Sequence, residues 1–372
     1  MLKKTWQEVR DIVRRESVMA LSWLLAAASS FYAVPKITYI DFHVLSILFC
    51  LMLVVAGFKK LKVLDYLAVY VLTRCSSLRN ITGALTGITF FSSMFVTNDV
   101  ALLTFVPLAI IIGKRLRHDM AKIIILQTLA ANLGSALTPM GNPQNLFLYA
   151  HYKMSSLTFL SAMSPLVLIS AVWLFFLIGN ERDQKMSVEL SLPVLGPRNI
   201  LVLYFFIFAV CLLSVFHLLD FKLAFAATFL GVFVSDRSLF RSIDYALLVT
   251  FCGFFVFIGN ISSLDFIHQL QKDWLNNAAG VYWLGIVSSQ LISNVPAAML
   301  LAGFTSQAKA LLLGVDVGGL GTLIASMASV ISYKLYLESN PTQGRNYLMM
   351  FLYYNVMGIL IMAPFIYYLM IR

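Results

Sequence analysis

Four short polar runs interrupt long apolar stretches of this sequence, and their residue types could do chemistry. The first is Ser93…Thr97-Asn98-Asp99. Ser93 lies four residues before Thr97, so on a helix both face one side. Hydroxyl, amide and carbonyl oxygens suit a small hard cation such as sodium. A helix beginning just after the triplet would aim its free amide groups back at it, a partly positive end that can hold an anionic group. The second run, Ser289…Ser293-Asn294-Val295-Pro296, repeats the spacing, and Pro296 suits the first turn of a following helix. The plain alternative for both is a polar turn satisfied by its own caps. Polar clusters inside membrane spans are functional by default, which favours a site.

The third run is Gly134-Ser135-Ala136-Leu137-Thr138-Pro139-Met140-Gly141-Asn142-Pro143-Gln144-Asn145. Two prolines among apolar neighbours must break a helix there. Broken ends expose carbonyls and amides at membrane depth, which is how discontinuous helices build ion sites. A short extracellular loop is the alternative. The apolar run Leu146–Tyr149 before Lys153 sets the break below the surface instead. The fourth run, Gly318 to Ser326, lacks proline and reads as a softer break. Asp99 and Asp316 are acids inside apolar segments with no Lys or Arg in a span to pair with. A buried carboxylate is costly unless paired, bound to a cation, or protonated, so both are candidate proton carriers. For Asp316 a helix-end acid near the outer surface is an equal reading.

The elements that must position these residues follow from composition. Of 372 residues, 60% are hydrophobic and only 12% charged. That much apolar surface makes the bilayer the solvent, and the absence of alternating strand patterning argues against a β-barrel. Apolar runs predict spans over 18–34, 42–58, 119–137, 157–179, 199–217, 222–234, 244–258 and 346–371. The first of these is read as a retained span, since no small-residue cleavage site follows it. Segments 61–73 and 262–276 read as interfacial helices, the latter carrying Asp265, Gln269, Lys272 and Trp274. Residues 81–113 and 279–305 fit no simple span. Each has a polar run at its centre and arms of about 15 residues, too short to cross. Both read as re-entrant hairpins, with tips at Thr97-Asn98-Asp99 and Ser293-Asn294-Val295-Pro296.

The net charge of +10 fits the Lys and Arg enrichment of cytoplasmic loops, and nucleic acid is not an expected partner. With the N-terminus inside, segments 1–17, 59–79, 114–122, 180–198, 235–241 and 334–345 face the cytoplasm and carry 21 of the 27 Lys and Arg; they include Lys3, Lys4, Arg10, Arg14 and Arg15. The six outside are Lys36, Lys153, Lys222, Lys272, Lys309 and Arg372. The first hairpin then opens inward and the second outward. The halves also match: Ser92, Ser93 and Asn98 align with Ser288, Ser289 and Asn294, and Gly134, Thr138 and Tyr149 with Gly318, Thr322 and Tyr333. Asn132 then faces Asp316. The predicted fold is an all-α membrane protein of two inverted-topology repeats, with the site at the midplane between them. The first repeat is 1–179 (hairpin 81–113, broken helix 119–152). The cytoplasmic linker is 180–198. The second repeat is 199–372 (hairpin 279–305, broken helix 309–337). Cys50, Cys75, Cys211 and Cys252 show no metal or CxxC spacing. His43, His118, His151, His217 and His268 fall near span ends.

These motifs resemble the ion transporter superfamily with citrate-transporter-like domains, which includes divalent anion:sodium symporters, arsenite/antimonite exporters and certain sodium/proton antiporters. The resemblance covers roughly 80–355, most clearly SSMFVTNDVALLTFVPL, LTPMGNPQNLF, SNVPAAMLL and GGLGTLIAS. It implies a first sodium-like site at Ser93, Thr97, Asn98 and Gly141, and a second at Ser289, Ser293, Asn294 and Ala325. It implies substrate near Asn98, Asp99, Thr138, Asn142, Pro143, Asn294, Val295 and Thr322. The symporters carry Ser-Asn-Thr at each tip, whereas the third members here are Asp99 and Val295. That departure opens proton coupling beside sodium coupling.

The expected function is ion-coupled secondary transport of a small anion or oxyanion by alternating access, in uptake or efflux, without a cofactor and with sodium as the one metal considered. The alternatives are sodium/proton antiport through Asp99, an ion channel, and a membrane-embedded enzyme. No HExxH, serine-histidine or paired-aspartate signature supports the last. The expected partners are the anionic substrate, the lipid bilayer and, as one option for assembly, a second copy of the chain. The expected location is a bacterial cytoplasmic membrane.

Overall fold

The computed structural model describes residues 17–181, 183–185, 190–261 and 275–372. The five N-terminal cations, and Asp265, His268, Gln269, Lys272 and Trp274 of the expected interfacial helix, lie outside them. The described residues are helical, with no strand beyond an isolated bridge between Ser77 and Lys185. The helices are α1 (Ser17–Ser29), α2 (Phe42–Lys60), α3 (Val63–Leu72), α4 (Leu78–Val96), α5 (Asn98–Leu116), α6 (Ala121–Ser135), α7 (Pro143–His151) and α8 (Ser156–Gly179). The second half has α9 (Arg198–Val215), α10 (Phe221–Ser235), α11 (Tyr245–Ile261), α12 (Ala278–Ile292), α13 (Asn294–Ala302), α14 (Ala308–Gly318), α15 (Met327–Ser339) and α16 (Gly344–Ile366).

Among the described residues, four segments are long and apolar enough to cross a membrane: α2, α8, α9 and Pro341–Ile371. Their outer surfaces are apolar, with Phe175, Phe176, Phe205, Phe206 and Leu360 more than half exposed. Large hydrophobes in such a belt face lipid. The chain is a multi-pass membrane protein, and every predicted span is a helix within a few residues of its expected bounds.

Both expected hairpins are helix pairs joined by one non-helical residue. α4 and α5 meet at Thr97, and α12 and α13 meet at Ser293. The arms of the first pair are 19 residues each, longer than the 15 read from the sequence. The extra turns come from the ends, where Ser77 caps α4 by accepting from the Asn80 amide and Lys114 and Arg115 complete the last turn of α5. Arm length therefore does not by itself forbid crossing. Both breaks are also present. A 3-10 turn at Pro139–Gly141 separates α6 from α7, and another at Leu323–Ala325 separates α14 from α15.

The packing follows the repeat. The first arm of each pair lies on the helix that precedes the break in its own half: α4 on α6, and α12 on α14. The second arm lies on the helix that follows the break in the other half: α5 on α15, and α13 on α7. One buried cluster accordingly joins Leu78, Ile81, Leu85 and Leu102 to Tyr336, Tyr347 and Phe351. Residues 183–185 of the linker are also tied down, since the Leu78 amide donates to the Gln184 carbonyl at 2.9 Å. Two cysteines distant in sequence, Cys50 and Cys211, come together beside Thr228.

Close approach of α4 and α6 depends on Gly134. A Cβ there would run into the Phe90 carbonyl and lie 2.8 Å from Ser93 Oγ. Gly87 has open space around its Cα. Gly134→Ala is expected to cost about 1–3 kcal/mol, the usual penalty of overpacking. Gly87→Ala is expected to be neutral or mildly stabilising, as Gly is a poor helix former. Thermal unfolding of the purified protein in detergent distinguishes them; equal midpoints for the two variants would contradict this account of the α4–α6 contact.

Candidate functional site

The two tips share one unusual backbone conformation. Thr97 has φ 74° and ψ 150°, and Ser293 has φ 75° and ψ 153°. That region is nearly exclusive to glycine, and a non-glycine residue there stores about 1–3 kcal/mol. The conformation lets one residue reverse the chain and leaves the next residue, Asn98 or Asn294, as the first of a new helix. The amides of α5 and α13 therefore start at the tips, as the sequence predicts.

Asn98 is buried, and its side chain turns away from the tip toward α6, the helix before the first break. Its Nδ2 donates to Asn132 Oδ1 at 3.3 Å, and its own Oδ1 accepts from the Asp99 amide at 2.9 Å. Asn132 Nδ2 donates to the Gly319 carbonyl at 3.4 Å, and Ser326 Oγ donates to Asn132 Oδ1 at 3.0 Å. Asn294 lies against Gly319, where a Cβ would come within 2.9 Å of its Nδ2. Asp316 is buried rather than at the outer surface. Asn142 Nδ2 and Gln144 Nε2 donate to its Oδ1 at 3.3 and 3.2 Å, and its Oδ2 has no partner among the described residues.

These contacts exchange between the halves. Asn132 aligns with Asp316, and Asn142 with Ser326. The pair Asn132–Ser326 thus maps onto the pair Asp316–Asn142, each joining one half to the other. The hydroxyls of the breaks match too. Thr138 Oγ1 donates to the Met94 carbonyl, and Thr322 Oγ1 donates to the Gln290 carbonyl at 3.3 Å. Ser93 and Ser289 pack on Gly134 and Gly318, where a Cβ would come within 2.8 Å of either hydroxyl oxygen. Ser93 Oγ donates to the Phe90 carbonyl and Ser289 Oγ to the Gly285 carbonyl.

The breaks are held by different means. In the first, Pro139 and Pro143 bring no amide N–H, and Asn142 caps α7 by accepting from the Asn145 amide at 3.0 Å. In the second, Gln290 from α12 does the work of the missing prolines. Its Nε2 donates to the Gly318 and Leu320 carbonyls at 2.7 and 2.9 Å, and its Oε1 accepts from the Thr322 amide at 2.9 Å. Ser293 Oγ reaches the Ala325 carbonyl at 3.5 Å.

Two cavities reach the tips. One, of about 560 Å³, touches Thr97, Asp99, Asn142 and Pro143 and runs to Lys59 and Lys60. The other, of about 440 Å³, touches Ser293, Val295 and Pro296 and runs to Lys334. Asp244, Leu247, Met327 and Ile331 border both. At the first mouth Lys60 pairs with Asp236, and Lys60 with Ser238 holds that carboxyl below its usual range. Lys59 is exposed, with no partner among the described residues. Asp99 is half-buried on the cavity wall, and its Oδ1 has no partner among the described residues.

The structure thus gathers the expected residues into one region and divides them. Thr97, Asp99, Asn142, Pro143, Ser293 and Val295 border the cavities. Asn98, Asn294, Ser93, Ser289, Thr138, Thr322, Gly141 and Ala325 line the seams between tips and breaks. The sequence reading gave no role to Gln290, Gln144, Ser326, Lys59 or Asp244. Gln290 carried a signal, being a polar residue where the first half has Met94. Lys59 and Asp244 come from α2 and the start of α11, outside every motif.

A model of the citrate transporter family matches residues 6–328. The chain belongs to the citrate transporter family. This family member is similar to the "Uncharacterized transporter MJ0456" of Methanocaldococcus jannaschii, 33% identical over 302 residues, with 80% of this chain and 82% of the relative covered. It is 27% identical to the inner membrane protein YbiR of Escherichia coli, with 80% of each chain covered. Its fold matches the crystal structure of the Alcanivorax borkumensis YdaH transporter, TM-score 0.54 at 13% identity, over 94% of this chain and 96% of the other. The family and the relatives make the chain a transporter and not an enzyme.

The bonds at Asp316 give a testable order of stabilities. Asp316→Asn keeps an acceptor oxygen for Asn142 and Gln144, whereas Asp316→Ala leaves both amide groups short of a partner. Stranding such buried donors costs about 1–3 kcal/mol. Asp316→Asn is expected to melt above Asp316→Ala by that amount; equal melting temperatures would show that these two bonds carry no stability.

Proposed function

We propose that this transporter moves a small anion or oxyanion, coupled to sodium or protons, by alternating access of two inverted repeats around a midplane site. The observation that carries this reading is the larger cavity. It joins an unpaired lysine at an exposed mouth to the start of two helices, α5 and α7, whose amide ends are partly positive. A diffusing anion is drawn by Lys59 and received by backbone N–H groups, with no fully buried cation among the described residues to trap it. The seam oxygens of Asn98, Asn132, Ser326 and the break carbonyls suit a desolvated sodium ion. The exchange of contacts between halves supports two-fold related repeats, which act as the moving parts in this class of architecture.

The Lys and Arg bias supports an N-terminus on the cytoplasmic side of the membrane. Lys59, Lys60 and Lys334 then mark the cytoplasmic face, and this conformation is inward-facing. The hairpins are read as re-entrant because their tips and both breaks sit among buried polar residues, where non-helical backbone is tolerated at membrane depth.

Sodium/proton antiport is a second reading, favoured by one observation. Asp99 sits on the cavity wall with one oxygen unpartnered among the described residues, and Asp244 borders the same space. An ionised Asp99 repels an anion, so this residue either carries the proton or is protonated before an anion enters.

Uptake into proteoliposomes of di- and tricarboxylates and oxyanions, under a sodium or a pH gradient, tests the proposal. Asn98→Ala and Asn294→Ala are each expected to lose more than tenfold in rate while yielding folded protein. Full transport by both variants would remove the tips from the mechanism. Asp99→Asn is expected to abolish the pH dependence of the rate. Sodium-driven pH change with no anion present would select antiport instead.

A further inference from the structure

A second polar recess, of about 310 Å³, lies beyond the end of α5 and away from both tips. One wall is the end of the first hairpin, with Lys114, Arg117, His118 and Asp119. The other wall is the end of α15 and the turn after it, with Tyr336, Asn340 and Gln343. It therefore bridges the two halves, along the α5–α15 contact.

The charges in the recess are unbalanced. The ion pairs among the described residues are Lys60–Asp236 and Lys122–Glu181, and neither includes Lys114 or Arg117. The one carboxylate, Asp119, is already engaged: its Oδ1 accepts from Tyr336 Oη and from the Ala121 amide, both at 3.0 Å. Those bonds fix it at the start of α6, where the helix end offsets its charge. Gln343 accepts from Asn346 Nδ2 through Oε1 at 2.9 Å, which leaves its own amide hydrogens to donate. Lys114 is explained in part by its place at the C-terminal end of α5, where cations are favourable. Arg117 is not. It follows the helix with φ 51°, a position that favours glycine. A bulky cation is held there against backbone preference and lines the recess.

We propose that this recess binds a phosphate group. Arg117 supplies a planar fork that matches phosphate oxygens, Lys114 supplies a second positive charge, and the Gln343 amide supplies a neutral donor. The group comes either from an acidic phospholipid headgroup, since the charge bias puts this face at the inner leaflet, or from free phosphate. Bound there, it ties the second arm of the first hairpin to the helix after the second break. The proposal does not depend on which substrate is carried.

The test uses the full-length protein in detergent, melted with phosphatidylcholine, with added phosphatidylglycerol, or with inorganic phosphate against chloride at matched ionic strength. Phosphatidylglycerol or inorganic phosphate is expected to raise the melting temperature by several degrees, and which of them does so identifies the source. The Lys114→Gln, Arg117→Gln double variant is expected to lose that response. Arg117→Gly removes the fork while relieving the backbone, so it is expected to melt no lower than the parent in phosphatidylcholine and still respond less. Lys153→Gln with Lys222→Gln, on the opposite face, should respond like the parent. No shift from either phosphate source, or a shift retained in both the double variant and Arg117→Gly, would overturn the proposal.

Discussion

Backbone that leaves its helix inside a hydrocarbon layer strands amide and carbonyl groups that water cannot reach. The rest of this structure depends on how those groups are met. Pro139 and Pro143 bring no N–H to the first break, and Asn142 caps the helix that follows. Gln290 reaches across from a neighbouring helix and meets three backbone groups of the second. Two unlike solutions thus produce the same helix, turn and helix in both halves. The reversal at each tip is also the same, down to a left-handed φ on a residue other than glycine. Strain of that kind persists only where surrounding packing holds it.

Seams between the halves do that holding. Each hairpin rests one arm on its own broken helix and the other arm on the helix after the break in the opposite half. Asn132 and Asp316, at aligned positions, each accept a hydrogen bond across the boundary. The first tip is therefore linked through Asn132 to the second break.

The two intramembrane acids sit in different surroundings, although the sequence presents them as a pair. Asp99 faces a cavity and keeps one oxygen unpartnered among the described residues. Asp316 is closed between the halves and tied by two side-chain amides.

The sequence by itself determined the helical membrane class, the helices, both tips, both breaks and the aligned positions of the two halves. Those features are local: apolar runs, prolines, and polar residues where hydrocarbon disfavours them. The alignment of Asn132 with Asp316 was also legible, because spacing along the chain records the repeat. Only the tertiary structure decided which way the side chains turn. Asn98 points to a break and Asp99 to a cavity, one residue apart on the same helix, because a helix advances 100° per residue. Only the tertiary structure brought in Gln290 as the clamp of a break with no proline, and Lys59 and Asp244 as the cavity mouth. Those partners lie far away in sequence, and no spacing within a motif encodes a contact made by packing.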